Sequence, residues 1–270
     1  MISLLRIDFK NCINNIKFKA CFLLMYGISI FSYICIVLGC INKNSLDLLS
    51  TNNLSLITGI GTKSMYYIIL FSLPIIASFI YSDSFVYEKE NNICLYYFLR
   101  KDKRKYYVSK VIVNFVVVFL TIFISLSINE ILTFIAVPNI GIQGTSATPV
   151  YQNIINEDTI HKFWPSLYIA YPFIYNYFII FLNAMFGALI SVIAFNISLI
   201  FNMKKITVVV IAFLGVNISV FILPIKYQFQ MYVQTWKGEM NDFIFTLLGW
   251  IAVGVITLLI GMWRQLKIDE

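Results

Sequence analysis

Six apolar stretches dominate this chain of 270 residues, each close to or beyond the roughly 20 residues that carry a helix across a bilayer. They run over about Ala20–Cys40, Met65–Ser82, Val108–Val137, Tyr175–Phe201, Ile206–Pro224 and Phe243–Trp263. In hydrocarbon every backbone N–H and C=O must bond within the protein, so such a run is either a helix or a strand of a closed barrel. None of the six alternates with period two, which argues against a porin-like barrel. The reading is an all-α integral membrane protein with six transmembrane helices. The narrowest division, between the fourth and fifth runs, rests on Asn202-Met203-Lys204-Lys205. Two lysines at mid-bilayer would cost several kcal/mol, so a short interfacial turn is predicted there.

Charge is scarce, at 12% of residues against about 25% in soluble domains. That excludes a soluble enzyme, a disordered chain and a secreted disulfide scaffold. The net charge of +7 would point to nucleic acid in a soluble protein, but its placement argues otherwise. With the N-terminus inside, one face collects Arg6, Lys10, Lys17 and Lys19, the seven Lys and Arg from Lys89 to Lys110, and Lys204, Lys205, Arg264 and Lys267. Those are fifteen; the opposite face holds Lys43, Lys63, Lys162, Lys226 and Lys237. Seven acids share the basic face, leaving it +8, the other face is neutral, and Glu130 lies within a span. Positive residues gather on the cytoplasmic side, so both termini are predicted cytoplasmic. The basicity then belongs to one membrane face, and no nucleic-acid partner is implied. The first run is too long for a signal peptide and lacks a small-x-small cleavage site, so no cleaved leader is predicted.

Motifs of chemistry are missing. Five cysteines (Cys12, Cys21, Cys35, Cys40, Cys94) have no metal spacing and no CxxC, so they read as small packing residues. Gly59-Ile60-Gly61-Thr62-Lys63-Ser64 falls short of a phosphate loop, because Thr62 intervenes where Gly must precede Lys. His161 stands alone in an outer loop near Glu157 and Asp158, with no nucleophile to serve. The chain reads as non-enzymatic, with no cofactor of its own.

Two cytoplasmic elements say more. Residues 1–19 form an amphipathic interfacial helix with Leu5, Phe9, Cys12, Ile13 and Ile16 on one face, its flanking cations set over anionic lipid. Residues 20–270 hold the six spans and a long loop, Ser84–Ser109. Glu88-Lys89-Glu90 open that loop, Ile93–Leu99 form an apolar middle, and Arg100 to Lys105 close it. A positive-inside anchor explains the basic exit but not the acidic entry or the apolar centre.

Asp83, Glu88-x-Glu90, the Arg/Lys run, Tyr107 and Lys110 at the start of the third span resemble the ABC-2 type permeases of ATP-binding-cassette transporters. In these an acidic segment follows the second span and a Lys opens the third; six spans and an interfacial N-terminal helix also match. The topology covers most of the chain, the motif only residues 83–110. Asn91-Asn92 stand where Gly-Thr is common, and the Pro usual before the basic turn is absent. The resemblance implies a bacterial cytoplasmic-membrane permease partnered by separate ATPase subunits, which would hold ATP and Mg, and by a second permease copy or paralogue. Loop 84–109 would be the coupling element. Glu88 and Glu90 would meet basic groups of the ATPase or cap the coupling helix, Arg100 and Arg104 would face its acidic rim, and Tyr107 completes the motif.

Within the spans, Ala184, Gly187, Ala188 and Ser191 form a small-residue stripe, suited to packing inside the chain or to an interface between chains. Thr257 and Gly261 are a weaker pair of the same kind. Glu130 either serves a transport path or snorkels to the interface. Asn183, Asn196 and Asn217 either line a path or bond between helices, and Pro74 is placed to kink the second span. Trp164, Tyr168, Tyr171, Tyr175 and Tyr177 read as an aromatic belt, and the amphipathic segment 225–242 as one that dips into the outer leaflet. The leading expectation is export of an amphipathic substrate such as a peptide, bacteriocin, toxin, drug or lipid. The alternative is a non-transporting immunity or sensor protein that binds peptide at its outer loops.

Overall fold

A computed structural model describes residues 1–41, 54–57, 63–94, 97, 103–137, 163–203, 205–234 and 238–268. Among these, all regular structure is helical, and six helices are long and apolar enough to cross a membrane. Numbered in chain order they are α1 (Ile2–Asn14), α2 (Ile16–Ile41), α3 (Lys63–Tyr81), α4 (Ser84–Glu90), α5 (Lys103–Ala136), α6 (Pro165–Ala170), α7 (Pro172–Phe201), α8 (Lys205–Ile222), α9 (Phe229–Val233) and α10 (Met240–Ile268). The two outer loops fall mostly outside the described residues, as do His161, Gly59, Gly61, Arg100 and Lys204.

The helix ends correct the sequence boundaries, each for a local reason. The first helix stops at Asn14 rather than running to residue 19. Asn15 adopts an extended backbone, and its Oδ1 accepts from the Lys17 N–H at 3.0 Å. That is an N-cap bond for α2. The helix of the third span begins at Lys103, ahead of the apolar run that opens near Val108, because Lys103, Arg104 and Lys105 favour helix. Its 34 residues rise about 51 Å in all, well past the ~30 Å hydrocarbon core. The segment 84–109 is thus helical at both ends. α4 is closed by Asn91 and by Asn92 at φ 57°, a left-handed conformation Asn tolerates. α7 opens with Pro172 at its first turn and ends at Asn202, φ 50°, which supplies the predicted turn into α8.

α7 is the hub, packing on α5, α10, α3 and α8, and most of its surface is buried, whereas α8 and α10 leave most of theirs exposed. The small-residue stripe faces inward: Ala184, Ala188 and Ser191 are buried, and a Cβ on Gly187 would overlap Ile122 Cδ1 and sit 3.4 Å from Leu73 Cδ2. It serves packing within the chain, not an interface between chains. Gly261 does the same, since its Cβ would lie 3.3 Å from Leu199 Cβ. The expected aromatic belt divides: Tyr168 and Tyr175 are buried and meet edge-on at 5.0 Å, while Trp164 and Tyr171 stay exposed. The segment after α8 turns into the bundle, where Phe229 stacks on Phe186 at 5.0 Å and Tyr66 Oη donates to the Val233 carbonyl at 2.7 Å.

Candidate functional site

The second long apolar helix continues, after a short break, into a further helix. After α3 the chain breaks at Ser82-Asp83 and resumes as α4, carrying Phe85, Val86 and Glu88 inward and Tyr87, Lys89 and Glu90 outward. Asp83 makes no side-chain cap bond and instead pairs with Lys17 of α2 at 2.5 Å. Ser198 of α7 donates to the Ser82 carbonyl at 2.7 Å, so three elements meet at this break.

Beneath α4 lies a buried charge cluster centred on Lys110. Its Nζ is 2.6 Å from Glu88 Oε1 and 3.3 Å from Asp8 Oδ1, and it donates to Tyr81 Oη at 3.5 Å. Ser109 Oγ donates to the other Asp8 oxygen at 2.8 Å, and Tyr106 Oη donates to the other Glu88 oxygen. The Lys110 ammonium also lies 5.0 Å from the Tyr106 ring centre and 5.3 Å from that of Tyr81. Lys110 is wholly inaccessible, and Asp8 and Glu88 are 2% and 7% exposed. A lone buried charge would cost several kcal/mol; two carboxylates held by one ammonium and two hydroxyls are nearly compensated. α1, α3, α4 and α5 are thereby joined at one point.

An aromatic shell seals the cluster. Phe85, Tyr106, Tyr107, Phe195 and Leu199 are buried together, with Phe85 and Tyr107 edge-on at 5.6 Å. Cys94 Sγ lies 3.4 Å from Tyr106 Oη, and burial pushes the Cys94 thiol above its ordinary value. Burial likewise raises the Cys12 thiol, on the inner face of α1, to about 12. Outside this shell, Lys89 Nζ donates to Asn202 Oδ1 at 3.5 Å, and Gln265 of α10 donates to the same oxygen at 3.1 Å. α4 is therefore also tied to the ends of α7 and α10.

The residues picked out from sequence fare differently. Glu88 does not point outward to a partner, nor does it cap the start of α4; it is consumed by Lys110 and Tyr106. Tyr107 is buried in the aromatic shell, while Glu90 and Arg104 are exposed. α1 docks through Leu4, Asp8 and Cys12; of the apolar face read from sequence, Cys12 is buried and Leu5 packs partly against the core, while Phe9, Ile13 and Ile16 stay exposed. Asp8 is the residue the sequence reading overlooked: an acid among apolar neighbours looks solvent-facing until its cation, 102 positions away, is known.

Glu130, Asn183, Asn196 and Asn217 do not meet. Glu130 is buried and accepts from Asn176 Nδ2 at 2.9 Å, with Ser55 a further partner. Next to it Asn129 donates to the Ser29 carbonyl and accepts from the Leu56 N–H. Glu130 therefore does not snorkel. Asn183 donates to Tyr66 Oη at 2.9 Å; Asn196 donates to the Gly254 carbonyl and Thr257 Oγ1 of α10. Among the described residues, Asn217 bonds the Phe213 carbonyl of its own helix. A reciprocal pair absent from the sequence reading, Asn114 with Ser191, joins α5 to α7 at 2.9 and 3.0 Å. No family model, curated protein or solved structure matches this chain.

Proposed function

We propose that this chain is the non-catalytic, membrane-spanning permease subunit of an ATP-driven exporter in a bacterial cytoplasmic membrane. Its termini and α4 face the cytoplasm, and α4 is the element a separate ATP-binding-cassette ATPase grips. The observation that carries the reading is the two-sidedness of α4. Its exposed side offers Tyr87, Lys89 and Glu90, whereas Glu88 on the other side is ion-paired to Lys110 of α5.

A displacement of α4 would be resisted by this pair and by the packed Phe85–Tyr107 contact. It would pass to α5 and, through Asp8, to α1. Close-packed elements joined in this way move as bodies rather than deform. A second permease copy or paralogue completes the pathway, and the cargo is amphipathic.

The test is co-expression with ATPase subunits encoded beside the chain, co-purification, and ATP hydrolysis in nanodiscs with and without candidate peptides. Stable co-purification and substrate-stimulated hydrolysis are expected, with Tyr87→Ala/Glu90→Lys abolishing both while the membrane part stays folded. Hydrolysis and association unchanged in that variant would overturn the assignment of α4.

A further inference from the structure

Between α1 and the exposed flank of α5 runs a groove of about 570 Å³, within the ~300–1,000 Å³ range of small-molecule sites. Phe9, Ile13, Ile112 and Val116 line it, together with Arg6 and Lys10, which stand one helical turn apart on α1. Asp8, the acid nearest in sequence, is turned to the opposite side and already holds Lys110 and Ser109. Among the described ion pairs neither Arg6 nor Lys10 has an acidic partner. Ile112 and Val116, 37% and 38% exposed, belong to a membrane-spanning helix, so the groove opens toward hydrocarbon.

We infer that this groove binds one acidic phospholipid of the adjoining leaflet, its phosphate on Arg6 and Lys10 and an acyl chain along Ile112 and Val116. The two halves of the site demand both parts of such a molecule. The apolar lining gains nothing from a soluble anion, and the two cations gain nothing from a neutral lipid tail. The lipid wedges α1 against α5 beside the Asp8–Lys110 contact, so its presence fixes the interfacial helix. The site stands apart from the transport proposal and holds whether or not an ATPase partners the chain.

Native mass spectrometry of the purified protein, titrated with dioleoyl phosphatidylglycerol or dioleoyl phosphatidylcholine, tests it. One phosphatidylglycerol per chain should be retained at concentrations where phosphatidylcholine is lost. Arg6→Gln/Lys10→Gln should weaken retention roughly 20- to 30-fold, about fivefold for each cation at a membrane surface. The charge-preserving pair Arg6→Lys/Lys10→Arg should restore it. Val116→Trp, which fills the groove, should abolish retention, and Lys19→Gln, exposed but outside the groove, should leave it unchanged. Equal retention of the two lipids, wild-type binding by the double Gln variant, or an equal loss in Lys19→Gln would each overturn the site. So would paired chains without lipid that Val116→Trp separates, since the groove would then hold a second copy.

Discussion

Removing the Lys110 ammonium is the sharpest test of the buried cluster. At an effective dielectric near 20, attraction over 2.6 Å and 3.3 Å amounts to about 6 and about 5 kcal/mol gross. Burying three ions costs several kcal/mol each, so the intact cluster contributes little net stability. Its partial loss is another matter: Lys110→Met leaves Asp8 and Glu88 buried and facing each other without a cation. The expected cost is about 3–5 kcal/mol, near 10 °C of melting temperature for a chain of this size at ~2–4 °C per kcal/mol. Lys110→Met combined with Asp8→Asn and Glu88→Gln removes all three charges yet keeps acceptors for Ser109 and Tyr106. That triple variant should recover most of the loss. Melting followed by tryptophan fluorescence in nanodiscs reads both. If Lys110→Met melts within 2 °C of the parent, or the triple variant melts as low as the single one, stranded charge is not the cause and the argument fails.

Close packing at the hub makes a paired prediction. Gly187→Ala forces its new Cβ onto Ile122 Cδ1 and should cost about 1–3 kcal/mol, whereas adding Ile122→Val, which lacks that methyl, should restore most of it in a double-mutant melting cycle. Elsewhere in the bundle, Glu130→Gln keeps an acceptor for Asn176 and should change stability by less than about 1 kcal/mol, while Glu130→Leu removes the acceptor that Asn176 and Ser55 share and should cost about 1–3 kcal/mol. Equal melting of the two Glu130 variants would contradict the bonding described. Cysteine chemistry gives a pH test. With its thiol raised from 9.0 to about 12 by burial, Cys12 holds its proton more tightly folded than unfolded. Its contribution to stability should therefore be constant below pH 9 and fall between 9 and 12, a fall that Cys12→Ala should remove. At pH 8 both Cys12 and Cys94 should resist iodoacetamide until detergent unfolding, as peptide mapping would show.

The polar residues show how far the sequence could be read. Lys110 was visible as the cation opening the third span, and Glu88 as part of an acidic motif, yet nothing in their spacing says that they face each other rather than solvent. They lie 22 positions apart, and α4, which carries Glu88, is closed by Asn92 at positive φ. Asp8 was less legible still. Of the apolar face that periodicity selects on α1, Leu5, Phe9 and Ile13 line the groove, whereas Cys12 is buried with Asp8. Ala184, Gly187, Ala188 and Ser191 were recognisable as sites of close approach, but which helix approaches was open until Ile122 and Leu73 were placed against Gly187.

By itself the sequence determined the solvent, the number of spans and the all-helical class. Each follows from transfer free energy summed over about 20 consecutive residues, and such a sum needs no partner. Only the tertiary structure decided which charges are buried, which flank of α1 touches protein and which side of α4 is left exposed. Those outcomes turn on pairs such as Asp8–Lys110 and Asn114–Ser191, separated by 102 and 77 positions. A hydrogen bond or ion pair acts over about 3 Å, and only the folded chain brings such residues that close.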